Sequence, residues 1–210
     1  MIKEVILVFS LILGAIWASE AYSSLSWLCA LSAAAIMIWS FRFRGDSGYN
    51  LGFCPISVAK PALYLLGLTV IMAVVIIVIG FWINPNVADQ KDFWVKIHGK
   101  ALGTYVLWGA VQQFLLNGYF TNRIGGLMKG FIRPAMVSGL LFAIVHLPNP
   151  VLMIGTFIWG TASAYFFLRY SRNIYLLGFA HSILGTLTKY FIALPLITHG
   201  AMRVGPGFWN

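Results

Sequence analysis

Long apolar runs, separated only by short polar stretches, leave this chain few ways to fold. Hydrophobic residues make up 60% of the 210 and charged residues only 9%, against roughly 25% charged residues in soluble domains. Seven runs are apparent, at residues 5–19, 25–41, 61–83, 101–120, 134–147, 151–168 and 174–194. A run of about 20 apolar residues crosses the hydrocarbon core as a helix, which satisfies its own backbone polar groups. The sequence predicts an all-α, polytopic transmembrane helical bundle with about seven membrane segments.

The length and the start of the chain favour a single integral membrane domain over residues 1–210. Seven membrane segments leave too few residues for a separate soluble domain of ordinary size. Glu4 interrupts the basic stretch expected of a cleaved signal peptide, so we expect an uncleaved first helix. The two cysteines, Cys29 and Cys54, provide no disulfide framework.

The charge balance indicates partners and an orientation. The formal net charge is +9, and in a membrane chain such an excess favours anionic lipid headgroups over nucleic acid. With the N-terminus in the cytoplasm, nine basic residues fall on the inner side, where positive charge is enriched. They are Lys3, Arg42, Arg44, Lys60, Arg123, Lys129, Arg133, Arg169 and Arg172. We expect a cytoplasmic N-terminus, an outer C-terminus, and topology anchors at Arg123, Lys129 and Arg133.

One apolar run is too short to cross the membrane by itself. Residues 134–147 would form a helix of about 21 Å, which cannot cross a core of roughly 30 Å. We expect this helix to begin earlier or to be sheltered by its neighbours.

Polar residues within the fourth run form the first candidate site. Gln113 and Asn117 lie four residues apart and share a helical face, while Gln112 is turned about 100° away. Polar groups at membrane depth need a partner or water, and they often belong to function. The alternative is that these amides join helices through hydrogen bonds without further chemistry.

Two histidines on later runs form the second and third candidates. Phe142 and His146 share a face directly before the break Leu147-Pro148-Asn149-Pro150. His181 lies inside a long apolar segment, one turn before Gly185, where another backbone or a substrate can approach closely. Each histidine alone is compatible with a structural role. Together with the amides they predict one shared cavity, in which imidazole could transfer protons or bind metal.

These three constellations together resemble the CAAX protease and bacteriocin-processing family of intramembrane proteases, over about residues 95–190. The family has a pair of glutamates followed four residues later by arginine, then Phe and His separated by three residues, then a His often followed four residues later by Asn. Order and spacing match at Gln112-Gln113 with Asn117, at Phe142 with His146, and at His181 with Gly185.

The resemblance implies a site and also marks where this chain departs from it. It implies that His146 helps to activate water, that His181 stabilises the oxyanion, and that Gln112 and Gln113 occupy the positions of the catalytic glutamates. Asn117, Phe142 and Gly185 are then expected to bind substrate. Both glutamates, the arginine and the final Asn are replaced here, and an amide cannot act as general base at neutral pH.

Few other residues of the chain could replace those glutamates. The carboxylates of the chain are Glu4, Glu20, Asp46, Asp89 and Asp92, so none lies on the segments that carry the histidines. For the site to have a general base, Asp89 or Asp92 would have to fold back toward the histidines, or His146 would have to act as the base itself. Two histidines with amides make a poor zinc site, so we expect no cofactor, and a divalent metal is the poorly supported alternative. Ser138 and Ser182 lack an orienting acid.

Two hypotheses from different classes follow. The first is an endopeptidase that hydrolyses a peptide bond in a membrane-anchored or lipid-modified substrate with an altered polar and histidine site. The second is a catalytically inactive relative, a pseudoenzyme that binds a membrane peptide or lipid in the same cavity. A small transporter would need a continuous polar path or an inverted repeat, and the sequence has neither.

Overall fold

The structure, a computed structural model, describes residues 1–18, 22–54, 59–89, 100–197 and 199–209, and within these ranges it is helical without a β-strand. The all-α prediction is confirmed. Seven helices follow the seven predicted runs: α1 (Ile2–Ala18), α2 (Ser23–Arg44), α3 (Ala59–Ile83), α4 (Lys100–Gln113), α5 (Ile132–Ile144), α6 (Pro150–Arg169) and α7 (Ile174–Thr188). The path of α4 continues through a π-helical segment, Phe114–Thr121, into Asn122–Gly125, and that of α7 through Lys189–Ala193 into Leu194–Leu196.

The surface of the bundle is that of an integral membrane protein. In the described part of the chain, four helical segments are long and apolar enough to cross a membrane: Ser23–Arg44, Lys60–Ile83, Pro150–Arg169 and Ile174–Leu196. Large apolar side chains point outward along these helices, among them Trp27 and Phe43 on α2 and Trp82 on α3. Such extended apolar surface is stable against lipid and unstable against water.

The short helix α5 is sheltered, as the sequence predicts. It begins at Ile132, two residues before the predicted run, and its 13 residues span about 20 Å. It packs closely against α6 at a pair of glycines, since a Cβ added to Gly160 would lie 3.1 Å from the Cα of Gly139. Small residues at such crossings let two membrane helices approach closely.

Asparagine side chains begin both helices that follow α5. Asn149 accepts a hydrogen bond from the backbone N–H of Leu152 at the start of α6, and Asn173 accepts one from Leu176 at the start of α7. These caps satisfy backbone donors that a helix start leaves free. They fix where α6 and α7 begin, and therefore which of their side chains face α4 and α5.

At one end of the bundle, which we call the basic end, a buried network of charges joins three helices. It contains the start of α1, the end of α2 and the end of the extended α4. Arg123 contacts Glu4 at 3.4 Å and Asp46 at 2.5 Å, and Arg44 contacts Glu4 at 2.7 Å. Arg123 is only 3% exposed, so its role goes beyond that of the topology anchor expected from the sequence.

The opposite end, which we call the far end, is covered by residues 199–209, the closing segment. Asn149 donates through its side-chain amide to the carbonyl oxygens of Gly200, Ala201 and Arg203 at 3.0–3.3 Å. The backbone N–H of Gly205 donates to the carbonyl oxygen of Leu147 at 2.7 Å. The closing segment is therefore attached to the turn between α5 and α6.

Candidate functional site

The site depends on the close approach of α4 and α7. A Cβ added to Gly178 would lie 2.7 Å from the Cα and 2.9 Å from the N of Ala110, so the two backbones touch at this glycine. One turn farther along α7, His181 faces α4 near Gln113. The absence of a side chain at Gly178 thus allows the polar residues of the two helices to meet.

A buried polar network forms where these helices touch. Asn117 donates from Nδ2 to Oε1 of Gln113 at 2.6 Å and to Oγ of Ser163, on α6, at 3.4 Å. Nε2 of Gln113 lies 3.5 Å from Nδ1 of His181. Because an amide nitrogen can only donate, Nδ1 of His181 is the acceptor and Nε2 of its neutral ring carries the hydrogen.

The geometry of α4 changes at this network. The π-helical segment Phe114–Thr121 begins directly after Gln113 and includes Asn117. Single turns of π-helix inside α-helices are frequent at functional sites. No pattern in the sequence signalled this segment.

His146 lies directly after the end of α5, with its ring orientation fixed by the backbone. Its Nδ1 is 2.6 Å from the carbonyl oxygen of Phe142. Because a carbonyl oxygen can only accept, Nδ1 carries the hydrogen and Nε2 keeps its lone pair in the neutral ring. The ring of Phe142 lies 4.9 Å from that of His146 and 5.8 Å from that of His181, so this phenylalanine contacts both histidines.

A cavity of about 560 Å³ lies beside these residues, between the α1–α2 pair and the α4–α5 pair. Gln112 and His146 belong to its wall, together with the indole of Trp108. The rest of the wall is apolar: Phe9, Ile12, Ala15, Ile16, Ala30, Ala33, Ala34, Met37, Leu115, Leu116, Phe120, Leu141, Phe142, Val145 and Val204. A large apolar cavity with a few convergent polar groups is the usual form of a binding site.

The two adjacent glutamines therefore face different surroundings. Gln112 lies at the cavity, whereas Gln113 is fully buried in the network with Asn117 and His181. This is the separation of about 100° that helical geometry gives to neighbouring residues.

Gly185 lies away from the cavity wall. A Cβ added there would lie 2.7 Å from the ring of Tyr105, so Gly185 accommodates an aromatic side chain of α4. The predicted close approach is present, and the neighbour is a side chain of the protein.

The two serines next to the histidines are engaged with the backbone. Ser138 donates to the carbonyl oxygen of Pro134 at 2.8 Å, and Ser182 to those of Tyr105 at 2.9 Å and Gly178 at 2.8 Å. Such bonds to preceding carbonyls are common for serine in membrane helices. The structure therefore gives neither hydroxyl an activating base.

Charged groups and metal ligands are sparse around the site. Glu4 and Asp46 are paired with arginines at the basic end. Glu20, Asp92 and the side chain of Asp89 fall outside what the structure describes, so the proposed rescue by Asp89 or Asp92 stays a prediction. Across the described residues, no three His, Cys, Asp or Glu side chains come together in a metal-binding group.

Sequence reasoning missed the contribution of α6. Ser163 is fully buried against Asn117, and the ring of Trp159, one turn earlier, lies 6.4 Å from that of His181. Nε1 of Trp159 and Oδ1 of Asn117 are buried and have no hydrogen-bond partner among the residues that the structure describes. The available signal was Ser163 within a long apolar helix, where a polar residue needs a partner.

The all-helical membrane fold places Gln112 and His146 at an apolar cavity, with Gln113 and His181 in the buried network beside it. Residues 94–187 match the family model described as Type II CAAX prenyl endopeptidase Rce1-like. That segment includes all three motifs. No curated protein and no solved structure matches the chain. This match agrees with the resemblance to the CAAX protease and bacteriocin-processing family that the three motifs carry.

Proposed function

We propose that this protein is an intramembrane endopeptidase that hydrolyses a peptide bond in a membrane-anchored or lipid-modified peptide held in the cavity, with His146 as general base. One observation carries the proposal. The hydrogen bond from Nδ1 of His146 to Phe142 leaves the lone pair of Nε2 available on a residue of the cavity wall. Imidazole is the side chain best suited to accept a proton near neutral pH.

The reaction follows from the two histidine tautomers. Nε2 of His146 takes a proton from water as the oxygen attacks the carbonyl carbon of the scissile peptide. The oxyanion accepts a hydrogen bond from the amide of Gln112, at the cavity, and from Nε2–H of His181. When the C–N bond breaks, His146 returns the proton to the leaving nitrogen. Donors aimed at the developing charge are often the largest single contribution to such catalysis.

The remaining motif residues position these groups. Gln113, held by Asn117, donates to His181 and so selects the tautomer whose Nε2–H is a donor. Phe142 contacts both rings and limits their movement. The apolar wall would bind the hydrophobic part of the peptide or its lipid group.

Hydrolysis of a mixed library of membrane-anchored peptides in proteoliposomes tests this function. We expect turnover by the parent protein, loss of turnover in His146→Ala, and parent-like turnover in His199→Ala. His199 is an exposed histidine of the closing segment and serves as the matched control. Turnover that survives in His146→Ala would refute the role of this histidine.

A second candidate function is that of an inactive relative that binds the same peptide or lipid without cleaving it. The amide of Gln113 favours it, because Gln113 is engaged with Asn117 and His181 and provides no base. Peptide binding by the parent, abolished by filling the cavity with Ala34→Phe, in the absence of any cleavage would support this candidate.

We also propose that the N-terminus is cytoplasmic and that the basic end contacts anionic lipid headgroups. Most basic residues at the described helix ends lie at this end, with Lys100 and Lys189 as exceptions, and Lys129, Arg133 and Arg169 there are exposed. Enrichment of Lys and Arg on the cytoplasmic side supports the orientation, and anionic lipids of that leaflet suit the exposed cations.

A further inference from the structure

A second cavity, of about 450 Å³, lies between α3 and the end of α6, and we call it the tyrosine groove. Six residues form its wall, and none of them belongs to the wall of the cavity at the candidate site: Tyr64, Leu68, Ala162, Tyr165, Phe166 and Tyr170. Its volume is within the range of roughly 300–1,000 Å³ that is usual for ligand pockets. The tyrosine groove is therefore a candidate binding site that is separate from the proposed chemistry.

Aromatic side chains connect α3 with the end of α6 and form the mouth of the groove. Helix α3 packs along α7, and the ring of Tyr64 on α3 lies 5.8 Å from that of Tyr170. The ring of Tyr170 also lies 5.6 Å from that of Phe166 and 6.1 Å from that of Tyr165. These rings lie toward the basic end, because α3 begins there and α6 ends there.

The wall of the groove changes from polar to apolar along its length. Tyr64 and Tyr170 are exposed near the basic end, and tyrosines at the ends of membrane helices lie at the depth of the lipid headgroups. Leu68 is one turn deeper on α3, and Ala162 is about 12 Å deeper along α6. A ligand that matches this wall has a polar part at the membrane surface and an apolar part directed into the membrane.

Two cations flank the mouth of the groove. Lys60 is exposed one turn before Tyr64, so the two side chains share a face of α3. Arg169 is exposed as well, and its guanidinium lies 5.5 Å from the ring of Tyr170. Neither cation forms an ion pair with a carboxylate of the described residues. Their charges are therefore available to an anionic ligand.

We propose that the tyrosine groove binds one anionic phospholipid, with its phosphate at Lys60 and Arg169 and an acyl chain against Leu68, Ala162 and Phe166. Basic pockets between transmembrane helices are typical sites for anionic headgroups. The proposal rests on the proposed contact of the basic end with anionic lipid and gives that contact a defined site. A diffuse attraction would act alike on all exposed cations of this end, whereas a site depends on two of them.

Native mass spectrometry of the purified full-length protein in detergent tests the site. Dioleoylphosphatidylglycerol and dioleoylphosphatidylcholine have the same chains and differ in headgroup charge, and we expect the parent to bind the first more tightly. Lys60→Gln combined with Arg169→Gln should lower the affinity for phosphatidylglycerol by about 30-fold, or about fivefold for each cation. If the double variant does not fold, Lys60→Gln alone replaces it. The matched control is Lys129→Gln combined with Arg133→Gln, which removes two exposed charges outside the groove and should leave the affinity nearly unchanged.

The apolar part of the groove needs a variant of its own. Ala162→Phe places a ring where the acyl chain would lie and should weaken the binding of both lipids. Ala35→Phe, at an exposed alanine of α2, should not. Excess glycerol 3-phosphate has the headgroup charge without the chains, so it should not displace the lipid. Thermal unfolding without added lipid shows whether each variant is folded.

Each contrary result would refute a different step. Equal affinity of the parent for the two lipids would refute both the site and the proposed contact of the basic end with anionic lipid. A preference for phosphatidylglycerol that both charge variants lose to the same extent would leave that contact in place and refute the groove as its site. Unchanged binding in Ala162→Phe, or displacement of the lipid by glycerol 3-phosphate, would show that no acyl chain lies in the groove. None of these results depends on hydrolysis, so the proposed enzymatic function stands or fails separately.

Discussion

Adding one methyl group at Gly178 should separate α4 from α7 and disconnect the polar network. The new Cβ would lie 2.7–3.0 Å from three atoms of Ala110, two of them backbone, whereas ordinary carbon contacts are near 3.5–4.0 Å. The helices must therefore move apart by about 1 Å. The 3.5 Å contact between Gln113 and His181 is already at the limit of a hydrogen bond and would be lost.

The energetic effect of Gly178→Ala can be worked out from opposing contributions. Overpacking typically costs 1–3 kcal/mol, and replacing a helical glycine by alanine returns roughly 0.5–1 kcal/mol. We expect a net loss of about 1–2 kcal/mol, which for a chain of this size corresponds to a fall of about 2–8 °C in the unfolding midpoint. If the parent protein hydrolyses peptides, the rate of hydrolysis should also be lower in Gly178→Ala, because His181 loses the donor that selects its tautomer.

Thermal unfolding of the purified protein in detergent measures this effect. The matched control is Gly155→Ala on α6, where an added Cβ meets nothing within 4 Å. That substitution should leave the unfolding midpoint unchanged or raise it slightly. Equal midpoints for the two variants would refute the argument that glycine is required for close contact between α4 and α7.

Three further predictions concern the surroundings of the site. Arg123→Met should lower the free energy of unfolding by about 3 kcal/mol, because it leaves the carboxylate of Asp46 without its arginine partner. Arg133→Met at an exposed position should have little effect, and a similar loss in both variants would contradict the network. Asn149→Ser keeps a helix cap but loses the amide that holds residues 199–209, so hydrogen exchange in that segment should increase. Ser182→Ala should cost about 1 kcal/mol through its lost hydrogen bonds and leave the hydrolysis rate unchanged, and a large loss of rate at unchanged stability would indicate a nucleophile.

Apolar patterning was sufficient to predict the helices. Each of the seven runs became a helix, because lipid allows few other ways to satisfy the backbone, and the bounds differ from the prediction by a few residues. The short helix α5 also followed the expectation from its length. Periodicity placed Gln113 with Asn117 on one face and Gln112 on another, which is where the structure has them.

The parts that could not be predicted depend on contacts between distant segments. Nothing local shows that Arg123 is paired with Glu4 and Asp46, since these residues come together only through the packing of three helices. The contribution of Ser163 and the attachment of the closing segment to Asn149 have the same origin. The roles of His146, His181 and the glutamines in chemistry stay predictions, because geometry gives their positions and not their rates.

Restoring the glutamates tests the central claim most directly. Hydrolysis of the same membrane-anchored peptides is measured for the parent and for Gln112→Glu combined with Gln113→Glu. The account predicts measurable turnover by the parent that requires His146, and a rise of about 10² to 10⁴ in rate when a carboxylate base is supplied. A silent parent beside an active double variant would contradict it and would leave binding without cleavage as the function of the cavity.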